Sequence, residues 1–363
     1  MTQTPNRIIL QILFILILSA IVISGCEPAN PTGKAIAEPI KIGAVLSLTG
    51  FAQSYGEPSR NGILLAEKEI NAAGGVNGRL IKVIFEDDGT SGKNAVTATQ
   101  KLIDVDKVDA IIGGTWDLSL EPITPVTAKA GLIIINPSTG NADPKSRLSP
   151  NLFRTWPSIE RQIDAIRPVM QKERIKNIAL IRNSGPWALA HKSALERLLA
   201  KTGGKIVYDA AGPDVDNNDL GSEITKIAAQ DIDAVFLASG QNDAANTIKK
   251  FKEQGFKTVL ISSEGSLGTA IKAGLVDLKD AEGAYLIDLA PTDPDFIIDY
   301  QREYGKKPGL SADTSYNAVK TLARAYNATG TTDTETVRAY LQSSGDFDKN
   351  GDAAVEVRIA RVS

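Results

Sequence analysis

IKIGAVLSLTGFAQSYGEPSRNGILLAEKEINAAGGVNGRLIKVIFEDD, residues 40–88, is the stretch that decides the fold. The apolar run Ile40 to Leu48, bounded by polar residues, has the length and composition of a buried strand. A loop, Thr49 to Gly56, follows it. Ile63, Ala66 and Ile70 then share one face of a helix. Gly74-Gly75 and Asn77-Gly78 stop that helix and turn the chain. Ile81 to Glu86 reads as a second strand, ending in the acidic pair Asp87-Asp88. A strand, a helix and a strand make a βαβ unit, whose crossover is expected to be right-handed. Ligands of open α/β sheets sit beyond the carboxyl ends of the strands, so Ser47 to Tyr55 is the first candidate binding loop.

The same alternation continues downstream. Helical patterns at Gly92 to Val105 and Glu121 to Ala130 alternate with strands at Ala110 to Ile112 and Leu132 to Ile135. After the connecting segment Phe153-Arg154-Thr155-Trp156-Pro157 a second run begins. Its strands are read at 177–181, 205–210, 234–238, 258–262 and 284–287, with helices at 188–199, 220–229 and 243–254. Three further helices follow, at 295–304, 315–328 and 334–342. Strands alternating with helices predict parallel sheets covered on both faces, and the 363 residues suffice for two such domains.

Composition excludes several functions. The apolar and charged fractions, 42% and 23%, are those of a globular domain. A net charge of −3 with no basic block argues against a nucleic-acid partner. One cysteine, Cys26, and one histidine, His191, leave no intramolecular disulfide and too few ligands for a Cys/His zinc site. His191 lies inside a helical run, where a surface or packing role is expected. The string Glu264-Gly265-Ser266-Leu267-Gly268 lacks the first glycine of a nucleophile elbow. Asp88 to Asn94 lacks the leading glycine and the final hydroxyl of a phosphate loop. Asp346 to Gly351 opens like a calcium loop, but its twelfth position is Val357, so a hairpin turn at Asn350-Gly351 is the better reading. No cofactor, metal or catalytic set is expected.

Residues 1–26 form a targeting segment. Arg7 supplies the positive start and Ile8 to Ile23 is nearly all apolar, somewhat short for a membrane span. Residues 27–39, beginning Glu27-Pro28-Ala29-Asn30-Pro31, read as a flexible tether.

The strings LTGFAQSYG (48–56) and EINAAGGVNG (69–78), with Asp87-Asp88 behind them, resemble the type I periplasmic solute-binding proteins, in particular the leucine/isoleucine/valine-binding group of ABC importers. Ile23-Ser24-Gly25-Cys26 is similar to a bacterial lipobox, which implies cleavage before Cys26 and a lipid on it. The resemblance implies two Rossmann-like lobes joined by a three-crossing hinge. Lobe 1 would hold 40–157 and about 288–342, and lobe 2 would hold 158–287 and about 343–363.

The resemblance also implies a ligand site. Tyr55, Trp116, Asp117, Ser138 and Thr139 would face the cleft from lobe 1, and Trp187, Gly240, Gln241 and Glu264 from lobe 2. Glu264 matches the family glutamate that holds a ligand ammonium. Asp117 stands where a serine is common, and two roles are open to it: facing the ligand, or capping its helix. Tyr55 and Trp187 have a core role as the alternative, Ser138 and Thr139 a capping role, and Trp156 a place in the hinge. The implied function is extracytoplasmic capture of a small polar solute, an amino acid or an amide- or amine-bearing relative. The implied partners are the ligand, an ABC permease and the membrane through the N-terminal lipid, with a monomer expected. A sensory protein signalling through a separate receptor is the alternative, and an exported hydrolase the more distant one.

Overall fold

In the computed structural model β1 (Ile40–Leu46) pairs in parallel with β2 (Ile81–Asp87) on one side and with β3 (Ala110–Gly113) on the other. The structure describes residues 38–140, 149–213, 218, 220–291, 293–348, 350–353, 355 and 357–363. Cys26, the targeting segment and the tether up to residue 37 lie outside the described residues. The first sheet runs β2-β1-β3-β4-β5, with β4 at Ile133–Asn136 and β5 at Leu152–Arg154. The second runs β11-β10-β9-β8-β6-β7. It comprises β6 (Asn177–Arg182), β7 (Lys205–Ala211), β8 (Ala234–Ala238), β9 (Val259–Ser262), β10 (Tyr285–Asp288) and β11 (Arg358–Arg361). Its pairings are parallel except that of β10 with β11.

The continuous apolar strands follow from burial on both faces. Ile42, Ala44 and Leu46 face one core while Val45 faces another, and Ile133 and Ile135 are divided from Ile134 in the same way. The first of these cores is closed by α1 (Gln53–Ala72), α11 (Ala312–Thr329) and α12 (Thr334–Ser343). The second is closed by α2 (Gly92–Lys101) and α3 (Trp116–Lys129). In the second sheet Ile178, Leu180 and Phe236 face α4 (Ile159–Asp164), α5 (Arg167–Lys172) and α6 (Pro186–Thr202). Ala179, Ile181, Val235 and Leu237 face α7 (Gly221–Ala228), α8 (Gln241–Gln254) and α9 (Leu267–Lys272). Two three-layer lobes result, and α10 (Pro294–Tyr304) packs beside α1 and α11.

The chain passes between the lobes after β5, after β10 and before β11. The last passage differs from the expected start of the returning segment near residue 343. Phe347 belongs to the first lobe's core, with its ring centroid 5.0 Å from that of Phe153. Arg154 Nη1 donates to Asp352 Oδ1 at 3.1 Å, both side chains being buried. The turn at 347–353 therefore stays on lobe 1, and the chain crosses only beyond Ala353. The turn itself is closed as expected, Asp348 N–H donating to the Asp352 carbonyl across Asn350-Gly351.

Candidate functional site

Each sheet has a point where strand order reverses. β1 lies between β2 and β3, and β6 lies between β7 and β8. The crevice beyond the carboxyl ends of such strands is where ligands of open α/β sheets bind. The loops at those ends carry most of the candidate residues.

The acids Asp87 and Asp88 shape the loop after β1. Asp88 Oδ1 accepts from Ser47 Oγ at 2.6 Å and from Thr90 N–H at 2.8 Å. Asp87 accepts from Thr49 Oγ1 and from the Leu48 and Thr49 N–H groups. Burial alone would push the Asp87 carboxyl up, but these bonds and that from Gly89 N–H outweigh it and hold it below the ordinary range. α1 then starts at Gln53, ten residues before the apolar face begins at Ile63. Tyr55 consequently stands in a first helical turn rather than in a loop. A Cβ on Gly56 would fall 1.9 Å from the Ser47 carbonyl oxygen, and one on Gly62 would fall 1.9 Å from that of Ala312. Glycine at both positions lets α1 press against the end of β1 and against α11, which fixes where Tyr55 points.

Trp116 is also helical, opening α3 five residues ahead of the expected start. Its φ of 55° lies in the left-handed region, a strained conformation for a bulky residue and one that clusters at functional sites. Its ring packs edge-on to Tyr55, centroids 5.2 Å apart, with Phe51 at 5.8 Å. Trp156, at the first crossing, is buried with its ring 6.4 Å from Tyr55.

Asn136, fully buried at the end of β4, ties the next two loops together. Its amide donates to the Gly113 and Gly114 carbonyls at 2.9 and 2.6 Å, and its Oδ1 accepts from Ser138 and Thr139 N–H. Ser138 Oγ donates to the Gly114 carbonyl, and Thr139 Oγ1 donates to Asp117 Oδ1 at 2.7 Å. Asp117 is thus held at the strand-end rim by Thr139. The N-cap residue of α3 is Thr115, whose Oγ1 accepts from Ser47 N–H.

In lobe 2, Trp187 occupies the first turn of α6, after Pro186, and is half-buried. Its Nε1–H donates to Glu264 Oε1 at 3.0 Å. Glu264 Oε2 lies 3.3 Å from His191 Nε2, and His191 Nδ1 lies 3.0 Å from the Trp187 carbonyl oxygen. His191 is 0% exposed, which removes the surface role open to it from sequence. Gly240 is the N-cap of α8 and Gln241 its first residue, at the end of β8.

The two sets meet. A Cβ on Gly265 would lie 3.5 Å from Tyr55 Oη. Burial first, and the Glu264 carboxylate second, push the Tyr55 hydroxyl far above the ordinary tyrosine value, so it stays a donor. Beside this contact a cavity of about 340 Å³ runs along Ser263, Glu264, Gly265 and α9 to the ends of β10 and β11, with Leu310 at its border. The Ser119, Ser239 and Ser263 hydroxyls are buried without a hydrogen-bond partner among the described residues. Buried hydroxyls left in that way suit a polar ligand. Ser263, on the wall of this cavity, escaped the sequence reading; its only signal was adjacency to Glu264.

A model of the periplasmic binding protein family matches residues 39–360. The chain belongs to that family. An amino acid binding protein of Pseudomonas aeruginosa is 27% identical over 331 residues, 87% of this chain and 88% of the relative. A leucine-, isoleucine-, valine-, threonine- and alanine-binding protein of the same organism is 25% identical over 329 residues, 87% of each chain. Among solved structures, the branched-chain amino acid transporter substrate-binding protein LivJ of Streptococcus pneumoniae, in complex with isoleucine, superposes with a TM-score of 0.75. The identity is 23%, and 88% of this chain and 95% of that one are covered, a likeness that fixes the fold. This periplasmic binding protein is therefore a solute-binding protein and not an enzyme, of a family that works outside the cytoplasm. No helix among the described residues is long and apolar enough to cross a membrane.

Proposed function

We propose that the protein is the substrate-binding lipoprotein of an ABC importer, and that it captures an amino acid, or an amide- or amine-bearing relative, by closing two lobes around it. One observation carries the reading: the strand-end loops of the two sheets converge, with Tyr55 of one, packed on Trp116, against Glu264 and Gly265 of the other. Strand ends from separate lobes bury a ligand only when they close on it, and the closed form is then what a permease reads. In this reading lobe 1 comprises 40–157 and about 288–353, and lobe 2 the rest of the described chain. Tyr55, Trp116, Asp117, Ser138 and Thr139 line one wall, and Trp187, Gly240, Gln241 and Glu264 the other.

The relatives' names make leucine, isoleucine and valine the first ligands to test. At a hundredfold excess over its Kd a ligand stabilises the folded protein by about 2.7 kcal/mol. Calorimetric titration with these amino acids and their amides should give saturable binding, and small-angle scattering should show compaction at saturation. Saturable binding without compaction defeats the closure mechanism. Anchoring rests on Cys26, which would carry more than one acyl chain, since one alone binds only marginally. Intact mass of protein from its native membrane should show the lipid, and Cys26→Ser should remove it; an unmodified Cys26 there rejects the anchor.

A further inference from the structure

We propose that His191 sets the charge of the ligand anchor in lobe 2: protonated on both ring nitrogens, it pairs with Glu264, so that the ligand meets a neutral ion pair rather than a bare carboxylate. This rests on the reading of Glu264 as a ligand-facing residue.

The argument is one of donors and acceptors. The Trp187 carbonyl oxygen only accepts, so His191 Nδ1, 3.0 Å from it, must carry a proton to bond there. A neutral imidazole with that proton has a bare Nε2, and its lone pair would face Glu264 Oε2 at 3.3 Å. The opposite neutral tautomer places a bare Nδ1 against the carbonyl. With Glu264 ionised, each neutral form of the imidazole leaves two acceptors facing one another in a site where His191 is wholly buried and Glu264 is 8% exposed. Such unmet contacts are costly away from water. The imidazolium satisfies both and gives the carboxylate a charge-assisted partner. Trp187 Nε1–H fills the other oxygen of Glu264, so one residue supplies both the indole donor, from its side chain, and the main-chain carbonyl that orients the imidazole.

The surroundings leave this pair intact. Phe236 of β8 packs against the imidazole at 6.3 Å, and Tyr55, the ionisable group facing Glu264 from lobe 1, stays protonated. Lys192 on α6 is engaged by Glu196 and by Asp209 of β7, Arg182 of β6 by Asp209, and Arg197 by Glu160 of α4. A bare glutamate demands a ligand ammonium. A glutamate already paired accepts one without requiring it, so the lobe closes on ligands with or without an amine.

The chain has a single histidine, which makes the test direct. Full-length protein in detergent micelles, labelled with ¹⁵N-histidine, should show both ring nitrogens protonated at pH 7. A bare nitrogen there overturns the proposal. Leucine and its deaminated analogue 4-methylpentanoate are then titrated into the wild type and His191→Gln, whose side chain retains a donor but no charge. The ratio of affinities should move at least tenfold toward leucine in the variant, and an unchanged ratio overturns the specificity role. If neither probe binds the wild type, the amino-acid reading fails, and the nitrogen signals still decide whether the pair exists.

Discussion

Replacing Asp117 by serine tests what charge the first lobe presents to a ligand. Asp117 is half-buried at the rim, with one oxygen taken by Thr139 Oγ1 at 2.7 Å. A ligand carboxylate about 4 Å away would be repelled by about 1 kcal/mol in bulk water and about 4 kcal/mol at an effective dielectric near 20. Half-burial places the value between these, near 2 kcal/mol, or about thirtyfold in affinity. Leucinamide lacks the carboxylate and should be insensitive to the exchange. Titration calorimetry with leucine and leucinamide, on the wild type and on Asp117→Ser, isolates the difference. Leucine should gain about thirtyfold while leucinamide moves by less than about threefold, and added salt should shrink the gain because the rim is partly exposed. Equal shifts for both ligands, or weaker leucine binding in the variant, would refute the reasoning and put Asp117 in a purely structural role.

Gly62→Ala would drive a Cβ to 1.9 Å from the Ala312 carbonyl oxygen, so α1 must move off α11. Overpacking of this kind costs about 1–3 kcal/mol, read as a lower urea midpoint, and an unchanged midpoint would deny that the contact is tight. Arg154→Met leaves Asp352 buried without its cation, at a cost of about 3–5 kcal/mol. Adding Asp352→Asn should recover much of the loss, and failure to do so would show that the ion pair is not its source. Burial, mainly, with Asp293 adding to it, raises the Asp313 carboxyl from 3.8 to about 6. The folded state then binds more protons than the unfolded one between those values, so this contribution is complete below pH 4 and is lost as pH rises through 6. Asp313→Asn should remove that slope, gaining on the order of 1–2 kcal/mol over the wild type by pH 7 once partial exposure is discounted. Parallel urea-stability profiles for the two proteins would contradict it.

The opening β1-α1-β2 unit could be read from residues 40–88 because its signals are local: an apolar run, a periodic face and a glycine stop. The second lobe's inner strands β6, β8 and β9 could be read for the same reason, since burial on both sides leaves them largely apolar. Helix starts could not. α1 and α3 begin well ahead of their apolar faces, because Tyr55 and Trp116 are held by one another and by Gly56 on Ser47, contacts that no local periodicity encodes. Chemistry at single positions was visible too, since Glu264, Asp117 and three tryptophans are conspicuous in sequence. Their partners were not. Thr139 reaches Asp117 across 22 residues, Trp187 reaches Glu264 across 77, and His191, one helical turn beyond Trp187, becomes its companion only because α6 and the β9 end meet over the same sheet. The sequence by itself determined which segments are buried and which residues carry charge or aromatic rings. The tertiary structure decided which of them touch, because hydrogen bonds and ion pairs depend on distances of about 3 Å that strand order alone imposes.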